Sequence, residues 1–130
     1  MSRIDLARAY LHTLEAGATG EEVRLYFTDD AIQTELPNRL LPQGATRDLA
    51  AIMAGADQGR NLLSAQTYEV LRAYEHQDTV ILEVDWTGIL AVPLGPLAQG
   101  EVMKAHFAVF LDFVGDRIHR QRNYDCFEAW

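Results

Sequence analysis

Glu35 stands where a carboxylate can carry out proton-transfer chemistry, near the end of a predicted short strand and just before Pro37. A carboxylate in a mostly apolar pocket has a raised pKa, and it can then move a proton at a carbon next to a carbonyl group. Perturbed carboxylates often mark functional sites. Glu35 is therefore a candidate general base, with an exposed strand-end glutamate as the alternative.

The last predicted strand places a second carboxylate beside two amides. Gln121, Asn123 and Asp125 recur at a spacing of two and share one face of this strand if no bulge intervenes. Asp125 can take or give a proton there, while Asn123 orients an oxygen of the substrate. In the alternative, Asp125 caps the terminus or forms an ion pair with Arg120 or Arg122, since ion-pair networks also perturb acids.

Tyr10 is the candidate hydrogen-bond donor of this group. It lies on a predicted amphipathic helix with Ile4, Leu11 and Leu14. A buried tyrosine hydroxyl needs a partner, and it can stabilise negative charge that develops on a substrate oxygen. The alternative is a tyrosine that serves only the core.

Three helices and a set of long strands must position these groups. Helices that precede strands in the chain predict one α+β domain over residues 1–130. We expect a curved antiparallel sheet wrapped around the three N-terminal helices as a cone-shaped α+β barrel, with an apolar pocket between helices and sheet. The predicted segments are helices over 4–15, 21–26 and 46–59, and strands over 31–36, 63–76, 79–90, 105–113 and 117–127.

Apolar side chains on the inner faces of these elements would shape the pocket. The predicted lining residues are Leu40, Met53, Trp86, Phe107 and Val109, together with Gln121 and Asn123. His106 and Asp85 alternate with the apolar positions of their strands, so both are expected on the outer face, where the two can pair across strands or lie in a dimer interface.

Composition excludes several classes of function. The net charge of −8 disfavours binding to nucleic acid or to an anionic membrane, and no apolar run approaches a membrane span. Cys126 is the only cysteine, and the four histidines lack metal-ligand spacing, so we expect no disulfide and no metal site. Without a signal-peptide pattern at the start, the expected location is the cytoplasm.

Several short strings, taken in order, resemble the nuclear transport factor 2-like superfamily and within it the SnoaL-like branch. The resemblance spans nearly the whole chain and implies the fold, whereas this fold hosts many activities. The strings are Tyr-Phe-Thr-Asp-Asp-Ala at 26–31, Glu-Leu-Pro at 35–37, Gly44 ahead of the third helix, Gly-Asp-Arg-Ile at 115–118 and Arg-Asn-Tyr-Asp-Cys-Phe at 122–127.

The resemblance also implies roles for individual residues. Glu35 follows the Asp-Asp-Ala string where ketosteroid isomerase-like members carry their general base, and Tyr10 matches the tyrosine that donates to an enolate oxygen in those members. Asp125 matches the acid/base aspartate of SnoaL-like cyclases. Val109 stands where the isomerases carry a second acid and cannot donate, so steroid isomerisation is not predicted.

The expected function is acid/base catalysis on a small apolar or polycyclic carbonyl compound, as a polyketide cyclase-like enzyme or an isomerase or dehydratase. Such chemistry needs no cofactor. Epoxide opening ranks lower, since an Asp–Arg–Asp arrangement is not evident in the sequence. The alternatives are a non-catalytic ligand-binding or dimerisation module and a protein-interaction adaptor. The exposed face of a long sheet also predicts a homodimer.

Overall fold

The computed structural model describes residues 1–130 as three helices and six strands. The strands after the third helix are long, and two of them exceed twelve residues. The helices are α1 (Arg3–Glu15), α2 (Gly20–Arg24) and α3 (Leu49–Leu62), and the strands are β1 (Phe27–Glu35), β2 (Ala45–Arg47), β3 (Leu63–His76), β4 (Thr79–Leu90), β5 (Val102–Val114) and β6 (Arg117–Phe127).

The six strands form one curved, unclosed sheet in the order β2-β1-β6-β5-β4-β3. β3, β4, β5 and β6 are joined as antiparallel neighbours, as the sequence predicted. β1 runs parallel to β6, and this makes the sheet mixed. The α+β class and the cone-like arrangement of helices and sheet are confirmed.

Helix boundaries follow the capping residues. Ser2 caps α1, and its side chain and that of Asp5 form a reciprocal capping box. Asp48 caps α3 by accepting a hydrogen bond from the Ala51 backbone N–H, so the helix begins at Leu49 and not at the predicted residue 46. α3 also continues past Gly59 to Leu62, because a single glycine costs a helix only about 1 kcal/mol.

Two strands differ from the predicted pattern. β1 begins at Phe27, whereas the predicted strand begins at residue 31. In β3 the pairing register shifts between Val70 and Arg72. This bulge exchanges the faces of the residues that follow, so Tyr74, which a regular strand would place on the face of Tyr68, is 53% exposed.

The core lies between the helices and the inner face of the sheet. Alternate residues of β4 and β5 point into it, including Val80, Leu82 and Leu111, which are fully buried. α1 contributes Ala7, Tyr10 and Leu11. None of the helices is both long and apolar enough to cross a membrane.

Candidate active site

A cavity of about 250 Å³ lies between the helices and the inner face of the sheet. Its lining is mixed: apolar side chains from all three helices face polar side chains that lie mainly on β1, β2, β3 and β6, and α1 and α3 each add one polar side chain. The polar side chains are those of Tyr10, Gln33, Glu35, Arg47, Arg60, Gln66, Tyr68, Gln121, Asn123 and Asp125.

The polar row on β6 is one continuous series of hydrogen bonds. The Tyr10 hydroxyl donates to Gln121 Oε1 at 3.0 Å, and Gln121 Nε2 donates to Asn123 Oδ1 at 2.8 Å. Asn123 Nδ2 then donates to Asp125 Oδ1 at 3.4 Å. Every amide in the row is polarised in the same sense, with its N–H pointing toward the carboxyl group of Asp125.

Glu35 lies at the end of β1, where it forms an ion pair with Arg47 of β2. Arg47 Nη1 and Nη2 approach Glu35 Oε1 at 3.1 and 3.2 Å. The second carboxylate oxygen of Glu35 accepts a hydrogen bond from Asn38 Nδ2 at 2.8 Å. Both side chains of the ion pair are largely buried, so the pair is shielded from solvent.

Asp125 has no cationic partner. Burial, followed by the negative charge of Glu35, raises the pKa of Asp125 to about 7, although the Asn123 hydrogen bond and the charge of Arg47 oppose the shift. Arg122, an alternative partner considered from sequence, instead binds Asp112 at 2.5 Å on the other face of β6. Asp125 is therefore a carboxyl group that gains and loses its proton near neutral pH.

Aromatic rings form the wall beside Asp125. Trp86 stacks on Phe107 with centroids 5.5 Å apart, and Phe127 packs edge-on against both rings. Phe107 is also the cross-strand neighbour of Asp125. Gly88 makes room for this wall, since a Cβ there would lie 2.4 Å from the Trp86 ring. The apolar wall is the physical source of the desolvation that Asp125 experiences.

The loop after β1 holds Glu35 and covers part of the cavity. Asn38 Oδ1 accepts hydrogen bonds from the backbone N–H groups of Leu40 and Leu41, each at 2.9 Å. Gly44 has a φ of +65°, and a Cβ there would lie 2.5 Å from the Glu35 carbonyl oxygen. Only glycine fits this turn, and the turn brings Leu40 into the cavity lining.

The cavity brings together most residues that the sequence predicted for the site. Two predicted residues lie outside its lining. The Cβ of Met53 lies 3.2 Å from where a Cβ of Gly20 would stand, so Met53 packs against α2, and Val109 is 1% exposed within the core. The predicted residues in the lining are Tyr10, Glu35, Leu40, Trp86, Phe107, Gln121, Asn123 and Asp125.

His106 and Asp85 lie on the outer face, away from the cavity, as their strand positions predicted. His106 Nδ1 lies 2.7 Å from Asp85 Oδ1, and its Nε2 lies 3.1 Å from Glu128 Oε2. The two carboxylates raise the pKa of His106. This cluster is exposed and separated from the candidate site by the sheet.

Sequence reasoning did not assign Arg47, Gln33 or Tyr68 to the site. Arg47 Nη1 donates to Gln33 Oε1 at 3.0 Å, and Gln33 Nε2 donates to Gln121 Oε1 at 3.1 Å, which links the ion pair to the β6 row. Gln33 and Glu35 alternate on β1, and this spacing was the available signal for Gln33. Arg47 precedes α3 on a strand of three residues, where no periodicity can develop.

Comparison with protein families and solved structures gives a consistent result. The family model for the SnoaL-like domain matches residues 7–121. No curated protein matches the sequence.

Three solved structures illustrate the likeness of fold. IdmH from Streptomyces antibioticus, a candidate polyketide cyclase, has a TM-score of 0.80 and 15% identity over 96% of this chain and 92% of that chain. A Catenulispora acidiphila protein with a ketosteroid isomerase-like fold, in complex with trimethylamine, has a TM-score of 0.73 and 16% identity, and the match covers 92% of this chain and 83% of that chain. An LEH-like epoxide hydrolase from M. tuberculosis has a TM-score of 0.73 and 13% identity, and the match covers 97% of this chain and 82% of that chain.

Proposed function

The chain belongs to the SnoaL-like family, and from the geometry of its cavity we propose that it is an acid/base enzyme acting on a small, mostly apolar carbonyl compound. The reaction class is proton abstraction beside a carbonyl group, leading to isomerisation, intramolecular aldol cyclisation or dehydration. The likeness to a candidate polyketide cyclase supports this class. A single observation carries the proposal: Asp125 lines the cavity beside an aromatic wall and has a pKa of about 7.

Asp125 is the general base of the proposed reaction. A base is most effective when its pKa lies near the working pH, because it is then both ionised and basic enough to accept a proton. The C–H bond next to the carbonyl breaks, the proton moves to the Asp125 carboxylate, and the electron pair moves onto the carbonyl oxygen as an enolate. The protonated Asp125 then returns the proton to another carbon, or the enolate attacks a second carbonyl group.

Glu35 takes a supporting role in this reaction. One of its oxygens is held by Arg47 and the other by Asn38, so both are already engaged. Its negative charge raises the pKa of Asp125. Arg47 places a positive charge in the same cavity, and this charge stabilises the enolate as it forms.

Deuterium exchange into 2-tetralone, followed by proton NMR, tests the proposal without knowledge of the natural substrate. The wild-type protein should accelerate exchange of the protons beside the carbonyl, and Asp125→Asn should lower the rate by about 10²- to 10⁴-fold. Asp116→Asn, in an exposed turn, is the matched control. Equal rates for wild type and Asp125→Asn would exclude Asp125 as the base, whereas 2-tetralone binding without exchange would favour a non-catalytic binding module.

Epoxide opening is the second candidate. It is supported by Arg47, whose positive charge acts on both carboxyl groups of the cavity. Arg47 forms an ion pair with Glu35, and its charge lowers the pKa of Asp125. In this reaction Asp125 removes a proton from water, the water oxygen attacks an epoxide carbon as the C–O bond opens, and the alkoxide that forms takes up a proton from solvent to give the diol, while Asp125 releases its own proton to solvent. Styrene oxide in ¹⁸O-labelled water separates the two candidates, because only epoxide opening places the label in a diol.

A further inference from the structure

The Tyr68 hydroxyl is a hydrogen-bond donor in the cavity that the chain itself does not use. Tyr68 lines the cavity from β3, and its hydroxyl forms no hydrogen bond with any other residue. No fully buried side-chain nitrogen or oxygen in the protein lacks a partner. The unpartnered hydroxyl oxygen therefore retains accessible surface, on a residue that lines the cavity.

The Tyr68 ring is fixed on the same wall as the candidate base. Tyr68 is the cross-strand partner of Trp86, and its ring centroid lies 6.3 Å from that of Phe107. Phe107 is in turn the cross-strand partner of Asp125. At this point β3 is also tied to α1, because the Tyr68 backbone N–H donates to the Glu15 carboxylate. Packing and backbone contacts thus hold the ring in place near Asp125.

The other aromatic hydrogen-bond donors on the cavity wall are engaged within the protein. The Tyr10 hydroxyl donates to Gln121, and the Trp86 indole N–H donates to Gln66 Oε1 at 3.0 Å. Tyr10 was the donor predicted from the sequence, but its hydroxyl donates to Gln121 and so helps to position the polar row on β6. This leaves Tyr68 as the tyrosine whose O–H is directed to no protein group.

We propose that the Tyr68 hydroxyl binds the carbonyl oxygen of the substrate and donates a hydrogen bond to the enolate that forms when Asp125 takes the proton. The proposal rests on the function given above and adds the subsite for the reacting oxygen. Burial and the nearby negative charges of Asp125, Glu15 and Glu35 raise the pKa of Tyr68 well above its ordinary value. The phenol thus keeps its proton as a donor throughout the neutral range.

Binding of 2-naphthol and of naphthalene tests this subsite independently of turnover. The two probes differ by one hydroxyl oxygen, so their affinity ratio isolates the hydrogen bond. Wild-type protein should prefer 2-naphthol, and Tyr68→Phe should weaken 2-naphthol binding by about 3- to 10-fold while leaving naphthalene binding unchanged. Tyr124→Phe is the control, because Tyr124 is exposed on the outer face of β6. Titrations followed by tryptophan fluorescence give the dissociation constants.

Three results would overturn the proposal. These are no preference of the wild type for 2-naphthol, an unchanged preference in Tyr68→Phe, and equal weakening for both probes, which would make Tyr68 a packing residue. In the exchange reaction, Tyr68→Phe should lower kcat for 2-tetralone by about 10²-fold and change KM less. Failure of Asp125→Asn to slow exchange would remove the proposed base, whereas the naphthol preference reports on the oxygen subsite alone.

Discussion

Glu35 and Asp125 line the same cavity, but only Glu35 has a cationic partner, at 3.1 Å from Arg47. The two carboxyl groups are therefore not equivalent. Burial raises the pKa of Asp125 to about 7, and the negative charge of Glu35 adds to this effect. The position of one arginine therefore makes the two acids of the cavity different: Glu35 is ion-paired, whereas Asp125 is a buried carboxyl group without a cation.

The raised pKa of Asp125 should appear in the pH dependence of stability. Between about pH 4 and pH 7 the unfolded chain ionises this group while the folded protein retains its proton, so the stability contributed by Asp125 falls as pH rises. Asp125→Asn removes this dependence. Urea unfolding of both proteins should show the variant gaining stability relative to wild type by on the order of a few kcal/mol between pH 4 and pH 8. Parallel stability curves would mean that the pKa of Asp125 is ordinary.

The charges around Asp125 should tune its titration in opposite directions. Glu35→Gln removes a negative charge and should lower the pH midpoint of exchange, whereas Arg47→Gln removes a positive charge and should raise it. Both midpoints can be read from exchange rates in 2-tetralone across the pH range. Glu69→Gln, an exposed position on β3, should leave the midpoint unchanged. Shifts of the same sign in the two cavity variants would contradict the electrostatic account.

Gly88 should be required for the aromatic wall. A Cβ at this position would lie 2.4 Å from the Trp86 ring, so Gly88→Ala must displace the indole and should cost about 1–3 kcal/mol. The variant should also show altered tryptophan fluorescence and weaker binding of naphthalene. Gly59→Ala is the stability control, because it lies in α3 with no neighbour within 4 Å of an added Cβ, and it should stabilise the protein by up to about 1 kcal/mol. A Gly88→Ala variant as stable as wild type would show that the wall can repack.

We also propose that the outer face of the sheet pairs with a second copy of the chain. Tyr124 is 45% exposed there, with its ring centroid 5.6 Å from that of Phe110. Light scattering at micromolar concentration should give twice the mass of one chain, and Tyr124→Glu should shift the protein toward monomer. Leu25→Glu, at an exposed position outside the sheet, is the control. A monomer in the wild type would contradict this proposal.

The fold could be predicted because its longest elements carry strong periodicity. Val80, Leu82 and Val84 alternate on β4 without interruption, and the matching alternation on β5 fixes one buried face. The parallel pairing of β1 with β6 could not be predicted, because it joins strands that are far apart in the chain. The bulge near Leu71 was likewise hidden, since one inserted residue leaves the composition of a strand unchanged.

The site was predicted only in part, because some of its residues meet through contacts between different strands. Asp125, Asn123 and Gln121 share one strand, so their spacing alone brings them together. Arg47 reaches Glu35 through the short pairing of β1 with β2, which depends on the turn at Gly44. The ion pair that makes the two acids different therefore comes from tertiary structure. Tyr68 could be placed on a strand face, but its lack of a partner is visible only in three dimensions.

The titration of Asp125 in the folded protein tests the central claim most directly. Selective ¹³C labelling of aspartate carboxyl groups, with Asp125→Asn used to assign the resonance, would report its protonation by NMR as pH is varied. The structure predicts a midpoint near pH 7, equal to the pH midpoint of the exchange reaction. A midpoint near pH 4 would show a solvated carboxylate and would contradict the assignment of Asp125 as the base.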